Sequence, residues 1–158
     1  MNRKILKRVA VVVYGSFVFS ILSTVSFAGT AYSPWKAYHE YGYNYRNRSV
    51  IYTGGYNEYR VEALTSVGSS GQTVPTGYMK AEAVMYNSDA WDVIMRSAWV
   101  VNTAPVAPDV SLVAITTKVY DVRPTNMFSS EGRTQAYNPG ISGNYSLHYA
   151  YGSPDQSF

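Results

Sequence analysis

Two histidines, His39 and His148, are the residues of this 158-residue chain best suited to acid–base or metal chemistry. They lie far apart in the sequence, and no spacing joins them to further ligands. A zinc site needs three or four ligands, usually histidine and cysteine, and the chain has no cysteine. His148 falls on the polar side of a predicted strand, where a solvated side chain is the simplest interpretation. The sequence therefore predicts neither a metal site nor a cofactor.

Nucleophilic and carboxylate chemistry have no stronger support. The Gly-x-Ser-x-Gly turn of serine hydrolases is absent, and residues 68–71, Gly-Ser-Ser-Gly, have the composition of a flexible loop. Glu58 and Glu62 alternate with Arg60, which is typical of a solvated strand face with cross-strand ion pairs rather than of a glycosidase pair. The remaining acidic candidates are Glu82, Asp89, Asp92, Asp109 and Asp121. No spacing among them indicates a catalytic pair, so we predict no catalytic residue.

Aromatic residues are the unusual feature, since they make up 15% of the chain. Tyr41, Tyr43 and Tyr45 recur at period 2, so in a strand they would form a stripe on one face. An exposed stripe would offer rigid contact area to a sugar or a partner protein, whereas a buried one would cover the core edge. Trp35 lies nearby in the sequence. Trp91 falls in a predicted hairpin loop, where a large exposed apolar residue indicates a binding role. These five residues are the predicted ligand-binding set.

The first 28 residues predict a secretion signal that is removed. A basic start precedes an apolar stretch at 9–25, and small residues at Ser26 and Ala28 place cleavage after Ala28. An uncleaved membrane anchor is the alternative, because the stretch approaches the roughly 20 apolar residues of a spanning helix. Glycine, serine and threonine dilute the stretch, and no basic cluster follows it, so we favour cleavage.

Removal of this leader changes the charge of the protein. The chain carries thirteen basic and ten acidic residues, and four of the basic ones precede the apolar stretch. Residues 29–158 therefore carry nine basic and ten acidic residues, a net charge of −1. This excludes the basic footprint of a nucleic-acid partner and a polybasic membrane patch. Since a secreted eukaryotic domain of this size is more often disulfide-bonded, a leader without cysteines favours a secreted or surface-associated bacterial protein.

Residues 29–158 are predicted to form one β-rich domain of seven or eight strands. In 78–86, Met79, Ala81, Ala83 and Met85 alternate with more polar residues, and in 93–101 Val93, Met95, Trp99 and Val101 are predicted to share one face. The five-residue connection between these runs predicts a β-hairpin. Further strands are predicted at 38–45, 49–53, 56–67, 110–120, 132–137 and 144–151. Short strands at this spacing favour an all-β, antiparallel two-sheet sandwich after an N-terminal signal helix, with a closed antiparallel β-barrel as the alternative.

Three functions remain open on these grounds. We favour a secreted, non-catalytic binding protein that acts at a cell surface or on a glycan, with a glycan or a protein as partner and no membrane insertion after leader removal. A secreted antimicrobial or toxin-like protein fits the leader and size equally well, although the net charge of −1 argues against a membrane-lytic one. A secreted hydrolase with an unrecognised site would require a cleft that holds a residue of shifted pKa.

Overall fold

A computed structural model describes residues 29–54, 60–120 and 126–157 of the chain. The predicted signal helix and its cleavage point lie outside the described residues. Within those three ranges the protein is all-β, with no helix and with eleven strands rather than the seven or eight predicted. The strands are β1 Thr30–Tyr32, β2 Lys36–Glu40, β3 Tyr43–Thr53, β4 Arg60–Ser69, β5 Met79–Asn87, β6 Asp92–Arg96, β7 Val100–Val101, β8 Ser111–Ile115, β9 Val119–Tyr120, β10 Phe128–Tyr137 and β11 Tyr145–Tyr149. None of the described segments forms a helix long and apolar enough to span a membrane.

The strands form two antiparallel sheets. In the six-stranded sheet β3 and β4 lie at the centre, β1 and β2 pair with successive parts of β3, and β8 and β9 pair with successive parts of β4. In the five-stranded sheet β11, β10 and β5 lie side by side, and β6 and β7 pair with successive parts of β5. Since no described strand belongs to both sheets, the predicted two-sheet sandwich is the architecture observed.

The predicted hairpin is confirmed as β5 and β6, but its second strand is shorter than predicted. Met85 pairs with Met95 and Tyr86 pairs with Val93, which leaves Ile94 as the extra residue of a β-bulge. The bulge turns Val93 and Met95 to opposite faces of the sheet, so the prediction that they share a face is wrong. The run predicted at 93–101 is also broken after Arg96, and pairing with β5 resumes only at β7.

The stretch predicted as one strand at 38–45 is instead a hairpin. β2 ends at Glu40, β3 begins at Tyr43, and Glu40 pairs with Tyr43 across a two-residue turn. Tyr41 and Gly42 both have positive φ, 44° and 79°, as a type I′ hairpin turn requires. The single-face stripe of Tyr41, Tyr43 and Tyr45 is therefore wrong, since Tyr41 lies in the turn. β3 then continues without a break to Thr53, through the gap predicted at 46–48.

The core between the sheets is partly polar. Met79, Ala81, Ala83 and Met85 are fully buried, as their alternation predicts. The facing strands also bury polar side chains, among them Asn47, Ser49, Thr65 and Thr134. Three of these side chains bond across the sandwich: the Asn47 Nδ2 donates to Thr134 Oγ1 at 2.7 Å, and the Gly132 N–H donates to Ser49 Oγ at 2.7 Å. Buried polar groups are tolerated because they are hydrogen-bonded in this way.

Candidate functional site

Seven tyrosines from both sheets meet at one end of the sandwich. We call them the tyrosine cluster: Tyr38, Tyr41, Tyr43, Tyr45, Tyr78, Tyr137 and Tyr145. The β2–β3 turn, the residue before β5 and the β10–β11 junction all reach this end. Backbone pairing sets their positions, because the Tyr137 N–H donates to Tyr78 O at 3.0 Å and Tyr137 pairs with Tyr145.

The outer rings of the cluster are centred on Tyr137. Its ring centroid lies 4.4 Å from that of Tyr78, 5.6 Å from Tyr41 and 6.0 Å from Tyr145. Tyr78 in turn contacts Tyr43 edge to face at 5.6 Å. Tyr41 is 54% exposed and the other four rings are partly exposed. The end of the sandwich therefore presents a connected aromatic surface to solvent.

Two inner rings continue this surface into the core. Tyr45 lies 6.3 Å from Tyr43 and 5.3 Å from Tyr38, and it is only 1% exposed. The Tyr38 hydroxyl meets Thr134 Oγ1 at 3.1 Å. Burial raises the pKa of both phenols well above the ordinary value of 10.0, because a buried phenolate loses its hydration. Both side chains therefore stay neutral and act as packing groups that support the outer rings.

A carboxylate and a histidine complete this end of the sandwich. Glu40 Oε2 lies 3.2 Å from His148 Nε2, and Glu40 Oε1 accepts a hydrogen bond from Asn138 Nδ2 at 2.7 Å. The His148 ring stacks on Tyr38 with centroids 3.9 Å apart. Burial lowers the pKa of His148 below 6.5, and this effect exceeds the opposing effect of the Glu40 carboxylate. The arrangement is a neutral imidazole held between an aromatic ring and a carboxylate.

The lowered pKa of His148 predicts a pH-dependent stability. Since the unfolded chain takes up this proton near pH 6.5 and the folded chain only at lower pH, the unfolded state binds more protons in the interval. The contribution of His148 to the free energy of unfolding should therefore be fully present above pH 6.5. It should be lost as the pH drops toward the folded-state pKa. Urea unfolding of the protein and of His148→Gln at pH 5.5 and 7.5 measures this contribution. His39→Gln is the matched control, because His39 lies exposed, and it should keep the slope that His148→Gln loses. An unchanged slope in His148→Gln would contradict the prediction.

The five predicted ligand-binding residues do not form one site. Tyr41, Tyr43 and Tyr45 all belong to the tyrosine cluster, although Tyr45 is buried. Trp35 lies on the outer face of the six-stranded sheet, where its ring stacks with Arg46 and Arg48 at 4.8 and 4.5 Å. Trp91 lies at the far end of the nine-residue strand β5 from Tyr78, about 30 Å away at 3.3 Å per residue.

Trp91 is held at a fixed hairpin with its ring in solvent. The side chain is 80% exposed and borders an open cavity of about 260 Å³, which Tyr86 and Glu131 also line. The hairpin is anchored, because Asp89 Oδ2 accepts from the Met127 N–H at 3.0 Å and Ser88 Oγ donates to Asp155 at 2.6 Å.

Trp91 also occupies a strained backbone position, with φ of 55°. Left-handed backbone costs an ordinary L-residue roughly 1–2 kcal/mol, and asparagine tolerates it better. We therefore expect Trp91→Asn to raise the free energy of unfolding by about 0.5–1 kcal/mol, as measured by urea unfolding, since little packing is lost. Asp92→Asn, at the next residue, is the control and should leave stability within about 0.5 kcal/mol. A clear loss of stability in Trp91→Asn would show that the ring packs on the protein.

Sequence reasoning missed the groups that lie beside the predicted tyrosines. His148 was expected to be solvated, yet β11 turns Ser146 and His148 inward and leaves Leu147 and Tyr149 exposed. Glu40 and Asn138 carried no local signal, because their contacts join residues about a hundred positions apart. The period-2 repeat of tyrosines was the one signal that pointed to this end of the fold.

Among the described residues no group of three or more histidine, cysteine, aspartate and glutamate side chains is placed to hold a metal ion. No protein-family model matches the chain, and no curated protein is significantly similar to it.

Proposed function

We propose that the chain is an exported bacterial binding protein, without catalytic activity, that attaches to a glycan at a cell surface through the tyrosine cluster. The carrying observation is the connected set of partly exposed rings, Tyr41, Tyr43, Tyr78, Tyr137 and Tyr145, beside the polar groups of Glu40 and Asn138. Sugars present apolar C–H faces and hydroxyl edges, which match rings flanked by hydrogen-bonding groups. Binding surfaces of this kind need few polar groups to orient the ligand.

Backbone strain at Tyr41 supports this use of the tyrosine cluster. The first position of a type I′ turn favours asparagine or glycine, yet here it holds a 54% exposed tyrosine at φ of 44°. Backbone strain at an exposed residue is often retained for function. Tyr41 is thus the residue whose ring is best explained by a ligand.

The experiment is retention of the purified protein on insoluble polysaccharides and on whole bacterial cells. We expect Tyr41→Asn to reduce retention several-fold, since stacking of a ligand on one aromatic ring is worth about 1 kcal/mol or more. Stability should change by less than about 1 kcal/mol, because relief of backbone strain offsets the lost contact with Tyr137. Tyr149→Asn is the matched control: Tyr149 is similarly exposed, at 46%, but lies outside the tyrosine cluster. Equal retention of Tyr41→Asn, Tyr78→Ala and the unaltered protein would refute the proposal.

Hydrolysis is a second candidate because of the Glu40–His148 pair. A neutral imidazole oriented by a carboxylate is the general-base part of many hydrolytic sites. The same incubations decide between the two functions, since hydrolysis releases soluble sugar that binding does not. Release that is abolished in His148→Gln would establish the enzyme, and retention without release supports the binding protein.

A further inference from the structure

The outer face of the six-stranded sheet carries an open depression of about 500 Å³, away from the tyrosine cluster. Its floor is Val50 and Leu64, which pair across β3 and β4, with Val113 of β8 beside them. Arg48 lines one end and Glu62 the other. A partly apolar depression bounded by two opposite charges has a composition suited to a small binding site.

Arg48 is the cation of this depression, and its guanidinium is stacked but not ion-paired. It lies 4.7 Å from the ring of Tyr32 and 4.5 Å from the ring of Trp35. The other arginines with described side chains differ: Arg46 lies 2.8 Å from Asp109, and both Arg96 and Arg133 contact Glu82. Arg48 has no carboxylate within ion-pair distance among the described side chains. Two rings hold the planar group in place, which prepares it for a planar anion such as a carboxylate.

The distance between the two charges limits the ligand. Arg48 lies four residues from Tyr52 along β3, and Tyr52 pairs with Glu62. At 3.3 Å per residue the backbones of the two charged residues are therefore about 13 Å apart along the strands. An extended peptide of four residues spans the same distance between its amino and carboxyl ends. A ligand with two anionic ends would meet repulsion at Glu62.

We propose that this depression binds a short peptide with free termini, with its carboxylate on Arg48, its side chains over Val50, Leu64 and Val113, and its amino group toward Glu62. The site is separate from the tyrosine cluster, and so the inference holds whether or not the chain binds glycans. It would give an exported protein a second recognition surface, for peptide material.

The probe is tetra-alanine with free termini, titrated into the protein while backbone amide shifts of β3, β4 and β8 are followed by NMR. We expect shifts confined to the depression, a loss of affinity of about tenfold or more on C-terminal amidation, and a loss of about threefold on N-terminal acetylation. Glu62→Gln should remove the effect of acetylation, because it removes the partner of the amino group.

Arg48→Gln should abolish binding, whereas Arg96→Gln, which removes the same charge from the other sheet, should not change it. Val113→Glu gives a test that leaves Arg48 in place: a carboxylate in the depression should compete for the guanidinium, and Val113→Gln should bind normally. Affinity that is unaffected by amidation, by Arg48→Gln or by Val113→Glu would overturn the proposal, as would shifts located outside the depression. Failure here leaves retention on polysaccharide unaffected, because Tyr41 and Tyr78 lie elsewhere.

Discussion

Replacement of Thr134 by valine is expected to lower the free energy of unfolding by about 3 kcal/mol, since each buried polar group left without a partner costs about 1–3 kcal/mol. Thr134 Oγ1 accepts from Asn47 Nδ2 at 2.7 Å and meets the Tyr38 hydroxyl at 3.1 Å. Asn47 is fully buried, so water cannot replace the lost acceptor. Valine has nearly the shape of threonine, so the change removes the oxygen without leaving a cavity. Urea unfolding monitored by tryptophan fluorescence and by circular dichroism measures the difference.

Two further variants separate the hydrogen bonds from packing. Thr134→Ser keeps the hydroxyl and should cost less than about 1.5 kcal/mol, the range for loss of one buried methyl group. Asn47→Leu combined with Thr134→Val removes both partners, so this pair should be more stable than Thr134→Val alone. A cost below about 1 kcal/mol for Thr134→Val would mean that the polar groups between the sheets are hydrated rather than bonded to one another.

The sequence predicts the sheets of this protein better than the faces of its strands. Alternation works for one face of β5, where Met79, Ala81, Ala83 and Met85 are buried as expected. It fails for β11, where the aromatic and aliphatic side chains point to solvent and His148 points inward. The failure has a physical cause: the interior contains Asn47, Ser49, Thr65 and Thr134, so the buried face of a strand is not its more apolar face. A rule that assigns apolar residues to the interior cannot identify such strands.

Strand ends were missed for a related reason. The turn at Tyr41 and Gly42 contains a tyrosine in the left-handed region, which is not among the residues that usually mark turns. The bulge at Ile94 leaves no mark in composition, and it reverses the face of every residue before it.

The candidate site was predicted only in part. The tyrosine repeat is visible in a short stretch of sequence, whereas strand pairing joins residues that are far apart in the sequence. Tyr41, Tyr43 and Tyr45 are close in the sequence, so they had to be close in the fold. Their neighbours Tyr78, Tyr137 and His148 arrive from other strands through antiparallel registers that alternation does not specify. The polar partners could not be predicted for the same reason, since the Glu40–His148 contact joins the six-stranded sheet to β11, the last strand of the five-stranded sheet.

Gly132 determines how closely the two sheets approach, and Gly132→Ala is expected to lower the free energy of unfolding by about 2–3 kcal/mol, within the range for overpacked cores. A Cβ atom at Gly132 would lie 2.6 Å from Thr65 Cγ2 and 2.7 Å from Thr65 Oγ1. β10 and β4 are inner strands of their sheets, so neither backbone can move without disturbing its neighbours. Chemical denaturation of the variant measures the cost.

The steric clash between the new methyl group and Thr65 suggests a compensating substitution at Thr65. Thr65→Ala removes the two nearest of the three Thr65 atoms that the new methyl group would meet. The Thr65 hydroxyl has no hydrogen-bond partner among the described residues, so Thr65→Ala alone should be tolerated. The double variant Gly132→Ala/Thr65→Ala should therefore recover at least about 1 kcal/mol relative to Gly132→Ala, which is a coupling typical of residues in contact. Additive effects would show that the cost of Gly132→Ala arises elsewhere, for example from the hydrogen bond between the Gly132 N–H and Ser49 Oγ.

Because β10 also carries Thr134 and Tyr137, the same variant tests whether the spacing of the sheets determines the arrangement of the rings in the tyrosine cluster. Retention on polysaccharide should fall in Gly132→Ala and return in the double variant.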